Sequence, residues 1–242
     1  MKHYLVLLIL LFGLNTSKGG VLANKTRVIY HEQDKEQLVL LANINPHPIV
    51  VQTWTDYGEG DPESTAPFVA IPPVFYLPIG KTQGIKLIHD GDQLPKNTES
   101  VFWLNLYEIP PNLQHTALNS HHAEIALATN TQLKVFYRPA TLGHYPSQLS
   151  DKISFKLKKE AKDWVLICTN PLSFHISFTQ INYVTDQGNY LIKQEMDMMT
   201  LPLSSRSYKF DHQFVPQQGR VVFSYLNDAG FSVSESIQLD IS

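Results

Sequence analysis

The stretches ESVFWLNLYEIPP, Glu99 to Pro111, and TQLKVFYRPATL, Thr131 to Leu142, decide the fold class. In the first, Phe102, Leu104 and Leu106 alternate with Val101, Trp103 and Tyr107, so apolar side chains point to both faces and the run reads as a strand buried on both sides. Pro110 and Pro111 end it, because proline has no amide proton to donate to a ladder. In the second, Lys134, Phe136 and Arg138 share one face, while Leu133, Val135 and Tyr137 share the other. Two cations on one face of an otherwise apolar strand require partners.

The same short alternating or continuous apolar runs recur along the chain between Gly, Pro, Asn and Asp clusters, and no long segment after the N-terminus shows a helical period. The pattern is all-β. In the first half it predicts strands over residues 26–30, 37–43, 49–55, 68–71, 84–88, 100–107 and 123–137, which suits an immunoglobulin-like sandwich. The segment from Arg138 to Gly143 reads as a short bent linker, placing a domain boundary near residue 142. Beyond it, runs over 153–158, 164–169, 176–184, 203–210, 220–226 and 231–239 predict a second, smaller sandwich, with turns at Asp186-Gln187-Gly188 and Asn227-Asp228-Ala229-Gly230. The expected organisation is residues 1–23 as leader, 24–142 as the first domain and 143–242 as the second, each domain of typical size.

Composition removes several function classes. The 43% hydrophobic and 17% charged content supports packed cores, and a net charge of -3 provides no overall attraction for nucleic acid. Lys2 and His3, followed by an almost wholly apolar run from Tyr4 to Leu14 and then by small and polar residues, read as a secretory signal peptide. That run is too short to span a bilayer, which takes roughly 20 apolar residues, so no membrane insertion is expected. Val21 and Ala23 suit the positions before a cut at Asn24, and Gly19 and Gly20 permit an earlier one. Cys168 is the only cysteine, so no internal disulfide can form, and it reads as core packing.

Ten histidines invite a metal or enzyme reading, with His115, His121 and His122 clustered between Pro111 and Ala123. Their spacing matches no ligand signature, and there is no HExxH, cysteine pair, GxSxG elbow or phosphate-cradling glycine loop. Asp56, Glu59 and Asp61 around Gly58 and Gly60 lack calcium-loop spacing. No catalytic residue, metal or cofactor is therefore predicted. From residue patterns alone, Arg27 reads as a surface charge and Lys134 as an edge-strand charge that discourages aggregation.

The two opening runs, together with PHPIVVQTW (Pro46 to Trp54), PFVAIPPVFYL (Pro67 to Leu77) and YLNDAG (Tyr225 to Gly230), resemble the periplasmic pilus chaperones, two-domain immunoglobulin-like proteins of the chaperone-usher route. The resemblance covers nearly all of the chain after the leader. Thr98 stands where that family often has a basic residue, Tyr76 replaces a frequent arginine, and Asn170-Pro171-Leu172-Ser173 only partly follows the second-domain pattern. The resemblance implies two sandwiches arranged as a boomerang around an interdomain cleft, in the periplasm, without enzymatic activity.

It further implies that Arg27 and Lys134 grip the C-terminal carboxylate of a pilus or fimbrial subunit. At 4 Å and an effective dielectric of about 20, one such ion pair is worth about 4 kcal/mol before desolvation. Ile125, Leu127 and Thr129 would be the donor-strand positions that fill the open groove of the subunit by β-augmentation, and Glu99, Arg138 and Asp228 an interdomain charge cluster. The implied partners are the subunit and an outer-membrane usher, with a self-capping dimer as one way to shield the exposed donor edge of the free protein. An exported immunoglobulin-like adhesion or ligand-binding protein is the competing reading, and the lysine-bearing strand argues against it.

Overall fold

The computed structural model describes residues 20–64, 66–110, 128–213 and 215–239. In chain order the first half forms β1 (Val21–Ala23), β2 (Arg27–His31), β3 (Gln37–Asn43), β4 (Ile49–Asp56), β5 (Phe68–Ile71), β6 (Val74–Leu77), β7 (Thr82–His89), β8 (Ser100–Ile109) and β9 (Thr129–Arg138). A single 3-10 turn, Ala140–Leu142, follows at the expected linker. The second half forms β10 (Ser154–Glu160), β11 (Asp163–Asn170), β12 (Ile176–Thr185), β13 (Gly188–Leu191), β14 (Met199–Thr200), β15 (Ser204–Lys209), β16 (Gly219–Leu226) and β17 (Ser232–Leu239). Among the described residues no helix is long and apolar enough to cross a membrane.

The strands assemble into sheets ordered β1-β3-β7-β5, β2-β9-β8-β4-β6, β10-β11-β15 and β13-β12-β16-β17, with β14 also paired to β12. By packing, the chain divides into two compact units: one of Leu38–Ile88 and Leu104–Gln132 with the residues up to Asn24, the other of Lys25–Gln37, His89–Trp103 and Leu133–Ser242. This division does not follow chain order, since β8 and β9 run through both units.

In the first unit, alternation along β3, β4 and β7 sends Val39, Leu41, Ile49, Val51, Ile85 and Leu87 inward, and Leu104 and Leu106 of β8 join them. Several of its polar side chains join in one network. Asn105 Nδ2 donates to Asp56 Oδ2 at 2.8 Å, while Asn130 Nδ2 and Gln132 Nε2 each donate to Asn105 Oδ1 at 2.9 Å. Asp56 also accepts the Gly58 amide at 2.8 Å, and Asp61 the Glu63 amide at 2.9 Å, so these carboxylates belong to core and turns.

The second unit has a continuous core that includes Leu149, Phe155, Leu166, Cys168, Ile176, Phe178, Tyr208 and Phe223. Phe178 and Phe223 meet edge to face, 5.7 Å between centroids at 88°. Burial pushes the Cys168 thiol up to about 12, against a weaker opposing hydrogen bond to Thr200, in keeping with a packing role. Glu235 secures the start of this unit by accepting the Leu149 amide at 3.1 Å, the Ser150 amide at 2.6 Å and the Tyr225 hydroxyl at 2.8 Å. Burial works against ionisation of this carboxylate, but those donors prevail and hold it below its ordinary range.

Strands over 37–43 and 68–71 coincide with expectation, and most of the others differ by one or two residues at their ends. Four strands were not foreseen: β1, β6, β13 and β14. β6 directly follows Pro72 and Pro73 and leaves Val74 and Tyr76 exposed, as suits an edge strand with weak patterning. β1 occupies residues assigned to the leader and pairs Val21 with Asn43 and Ala23 with Leu41. β9 starts at Thr129, and residues 123–127 of that expected strand lie outside the described residues. One expectation needs correction: β8 is fully buried on one face only. Phe102, Leu104 and Leu106 are at most 3% exposed, whereas Val101, Trp103 and Tyr107 are half-buried.

Gly219 pairs with Thr185, and a Cβ there would lie 2.5 Å from the Val184 carbonyl oxygen, a backbone atom with little freedom to yield. Gly219→Ala should destabilise the chain by about 1–3 kcal/mol. Gly188→Ala, with open space around the added methyl, should stay within about 0.5 kcal/mol of wild type. Urea unfolding midpoints of the two variants check the contrast.

Candidate functional site

The parallel pairing of β2 with β9 sets Arg27 beside Lys134, Val28 beside Val135, Ile29 beside Phe136, Tyr30 beside Tyr137 and His31 beside Arg138. Both expected anchoring cations are therefore direct cross-strand neighbours, about 4.8 Å apart at the backbone. Like charges in such a position repel, so each needs its own compensation.

The compensation is unequal. Lys134 Nζ lies 2.6 Å from Asp197 Oδ1, with Met199 Sδ at 3.7 Å and the Trp103 ring centroid at 6.0 Å. Arg27 is 9% exposed, donates from Nη1 to the Leu226 carbonyl at 3.3 Å, and lies 5.4 Å from the Phe136 centroid. Its buried Nε has no hydrogen-bond partner, and no carboxylate among the described residues reaches it at ion-pair distance. Burial pulls the Arg27 guanidinium below its ordinary value, opposed by Tyr145, Asp228 and Glu99 nearby. A buried guanidinium left in this state favours any anion that can reach it.

Arg138, four residues along β9, contrasts with Arg27 because it is tied on every side. Its Nη1 and Nη2 take both oxygens of Asp228 at 2.6 and 2.9 Å, while Nε and Nη2 donate to Glu99 Oε1 at 3.2 and 2.8 Å. The ring centroid of Phe174 lies 4.9 Å from the guanidinium carbon. Burial works against the charge, but the Asp228 hydrogen bonds and the Glu99 carboxylate outweigh it, and the Arg138 pKa is raised. The other Glu99 oxygen accepts the His175 amide at 2.8 Å and lies 2.9 Å from His175 Nδ1. Glu99, Arg138 and Asp228, expected as an interdomain cluster, thus meet at hydrogen-bond distance with His175 as a fourth member, and all four lie inside one compact unit.

The turn that carries Asp228 is shaped for this position. Asn227 accepts the Gly230 amide at 2.9 Å on its carbonyl and the Phe231 amide at 2.9 Å on its side chain. Gly230 sits at φ +80, and a Cβ there would collide with the Thr26 hydroxyl, directly before Arg27. The glycine lets the turn close onto the start of β2.

Of the three donor-strand positions, Thr129 is the exposed first residue of β9, and Ile125 and Leu127 lie outside the described residues. The ladder with β2 takes up only Lys134 to Arg138 of β9. On that side Thr129 to Leu133 has no strand partner among the described residues, which leaves its backbone groups as an edge within that set. Sequence reasoning missed His175 and Asp197. His175 lies in the apolar run SFHISF with no motif around it, and Asp197 belongs to a loop whose contact with Lys134 spans 63 residues of sequence. No group of three or more His, Cys, Asp or Glu suited to a metal occurs among the described residues, and His115, His121 and His122 lie outside them.

Residues 20–143 match the family of pili and flagellar-assembly chaperones in its PapD N-terminal domain, and residues 148–237 match the PapD C-terminal domain. The probable fimbrial chaperone YadV of Escherichia coli K12 is 30% identical, over 93% of this chain and 92% of its own. The solved YadV chaperone structure superposes with a TM-score of 0.76 at 31% identity, covering 90% of this chain and 99% of that one. The chaperone MrkB of Klebsiella pneumoniae is 32% identical, over 98% of this chain and 99% of its own. The Salmonella enterica SafB chaperone, solved in complex with the SafA pilin, shares the fold with a TM-score of 0.73 at 21% identity, covering 93% of this chain and 98% of that one. With two family matches that together run from residue 20 to 237, and with relatives similar along almost their whole length, the chain belongs to the pilus-assembly chaperone family.

Proposed function

We propose that this chaperone acts in the periplasm, without enzymatic activity, on one pilus subunit at a time. Arg27 and Lys134 anchor the subunit's C-terminal carboxylate, and β9 donates its open edge, with Ile125, Leu127 and Thr129 filling the subunit groove. The captured subunit is kept from premature polymerisation and passed to an outer-membrane usher. The single observation that carries this reading is the β2–β9 register, which puts a buried, carboxylate-free arginine beside a lysine at the point where the open edge of β9 begins. A chain terminus laid along that edge would gain main-chain hydrogen bonds whatever its side chains, and two cations would set its register. That the SafB chaperone was solved with a pilin supports the class of partner.

In this reading Glu99, Arg138, Asp228 and His175 are structural: they hold the end of β9 and the Asn227 turn, and with them the carbonyl that Arg27 uses. The domain boundary lies near residue 142, supported by the family matches that end at 143 and resume at 148. Without a bound subunit, the open edge is protected by self-association into a capped dimer.

Binding and folding should separate cleanly by variant. Arg27→Ala and Lys134→Ala should each lower recovery of a co-expressed strand-deficient subunit by about tenfold or more and shift stability by less than about 1 kcal/mol. Arg138→Met should instead cost about 3–5 kcal/mol, because Glu99 is left buried without its cation. Subunit recovery from periplasmic extracts beside urea unfolding checks both, and wild-type recovery by either alanine variant removes the anchor from this site.

Export requires the leader to end where the fold begins. The Gly20 amide donates to Asn45 Oδ1 at 2.7 Å, its carbonyl accepts the Ile44 amide at 3.1 Å, and β1 follows directly. A cut after Ala23 would strip this edge strand, whereas a cut after Gly19 keeps it and offers Ser17 and Gly19 as the small residues before the scissile bond. Intact-mass analysis of the periplasmic protein should give a chain that starts at Gly20; a mass that starts at Asn24 would overturn this placement.

A further inference from the structure

The two cations of the site differ in a way that the capture reading does not itself require. Arg27 is buried, with an unpartnered Nε and no carboxylate at ion-pair distance among the described residues, while Lys134 is already engaged by a carboxylate. That carboxylate is held on its own side by a dedicated scaffold. Arg206 donates from Nη2 to the Asp197 carbonyl at 2.6 Å and from Nη1 to the Met199 carbonyl at 2.7 Å, and its Nη1 lies 3.8 Å from Asp197 Oδ2. Immediately after Asp197 the chain becomes buried: the Met198 carbonyl accepts the Phe178 amide at 3.1 Å and Met199 pairs with Ser177. Immediately before it the chain is open, with Met196 fully exposed. Asp197 therefore sits at the last exposed position before an anchor, its side chain 45% exposed against 22% for Lys134.

We propose that Asp197 is a built-in stand-in for the subunit's terminal carboxylate: it occupies Lys134 in the free protein, an incoming terminus displaces it, and it thereby sets how strongly a free carboxylate is preferred. This rests on the capture reading above. In the free protein the stand-in relieves the repulsion between neighbouring Arg27 and Lys134. On capture, one ion pair at Lys134 is exchanged for another, so only the difference between them contributes to affinity. The remainder of the carboxylate preference comes from Arg27, whose Nε has no partner to give up. The surrounding groups suit an exchange: Asp197 leaves toward solvent and keeps Arg206 at its carbonyl, and Lys134 retains Met199 and Trp103 as soft neighbours.

The test compares a strand-length peptide of alternating valine and threonine, made as free acid and as C-terminal amide, by titration calorimetry against the whole protein. Wild type should favour the acid. In Asp197→Asn the amide-to-acid ratio of Kd should rise by about three- to tenfold, because the competitor is gone and the cation is not. Asp197→Glu, which restores a carboxylate, should return the ratio toward wild type. An unchanged or smaller ratio in Asp197→Asn overturns the stand-in, since an aspartate that merely positioned Lys134 would weaken acid binding when lost, and it leaves the capture reading intact. If neither wild type nor Asp197→Asn distinguishes acid from amide, the anchoring role of Arg27 and Lys134 falls, and the stand-in falls with it.

Discussion

A parallel ladder of five residue pairs, Arg27 to His31 against Lys134 to Arg138, is the constraint on which the rest of the site depends. Because strand neighbours in register share a face, this one alignment brings Arg27 beside Lys134 and also fixes where the pairing stops. Upstream of Lys134 the β2 side of β9 is open among the described residues. Cationic pair and open edge thus arise together, from one register rather than from two independent features.

The ladder imposes a cost, since it places like charges side by side next to an apolar core. The chain answers it differently at each position. Arg138 is enclosed by Glu99, Asp228, Phe174 and the second-unit histidine His175, which makes it a tie between segments distant in sequence. Lys134 has one carboxylate, and that carboxylate is half-exposed. Arg27 has a carbonyl and an aromatic face but, among the described residues, no carboxylate at ion-pair distance. Compensation thus falls from Arg138 through Lys134 to Arg27, and on the proposed reading that gradient separates a structural cation from one available to a ligand.

On the proposed reading, a site of this kind would suit partners that share an end group rather than a sequence. Main-chain pairing along an open edge and ion pairing to a terminal carboxylate use only groups that every chain possesses. Side chains enter through alternation, which makes specificity a matter of which residues fit a groove rather than of which are recognised one by one.

Alternation in Glu99 to Pro111 and Thr131 to Leu142 made the β class and most strand positions legible, because a period of two is imposed locally by the backbone. Resemblance singled out Arg27, Lys134, Glu99, Arg138 and Asp228, because each falls in a short contiguous motif, and the structure pairs the first two across strands and joins the other three by hydrogen bonds. Strands β6 and β14 were not legible, since two to four residues beside prolines or in a loop carry no measurable period. The two-faced pattern of β8 misled: Val101, Trp103 and Tyr107 are apolar yet only half-buried, because one of them flanks the lysine and another meets the Trp54 ring. The sequence by itself determined that the chain is built of strands, that two cations lie on one strand face, and that its one cysteine cannot form an internal disulfide. Only the tertiary structure decided which cation is satisfied. Asp197 meets Lys134 across 63 residues, and His175 meets Glu99 across 76, and such pairings follow from how sheets pack, a non-local outcome that no local period encodes.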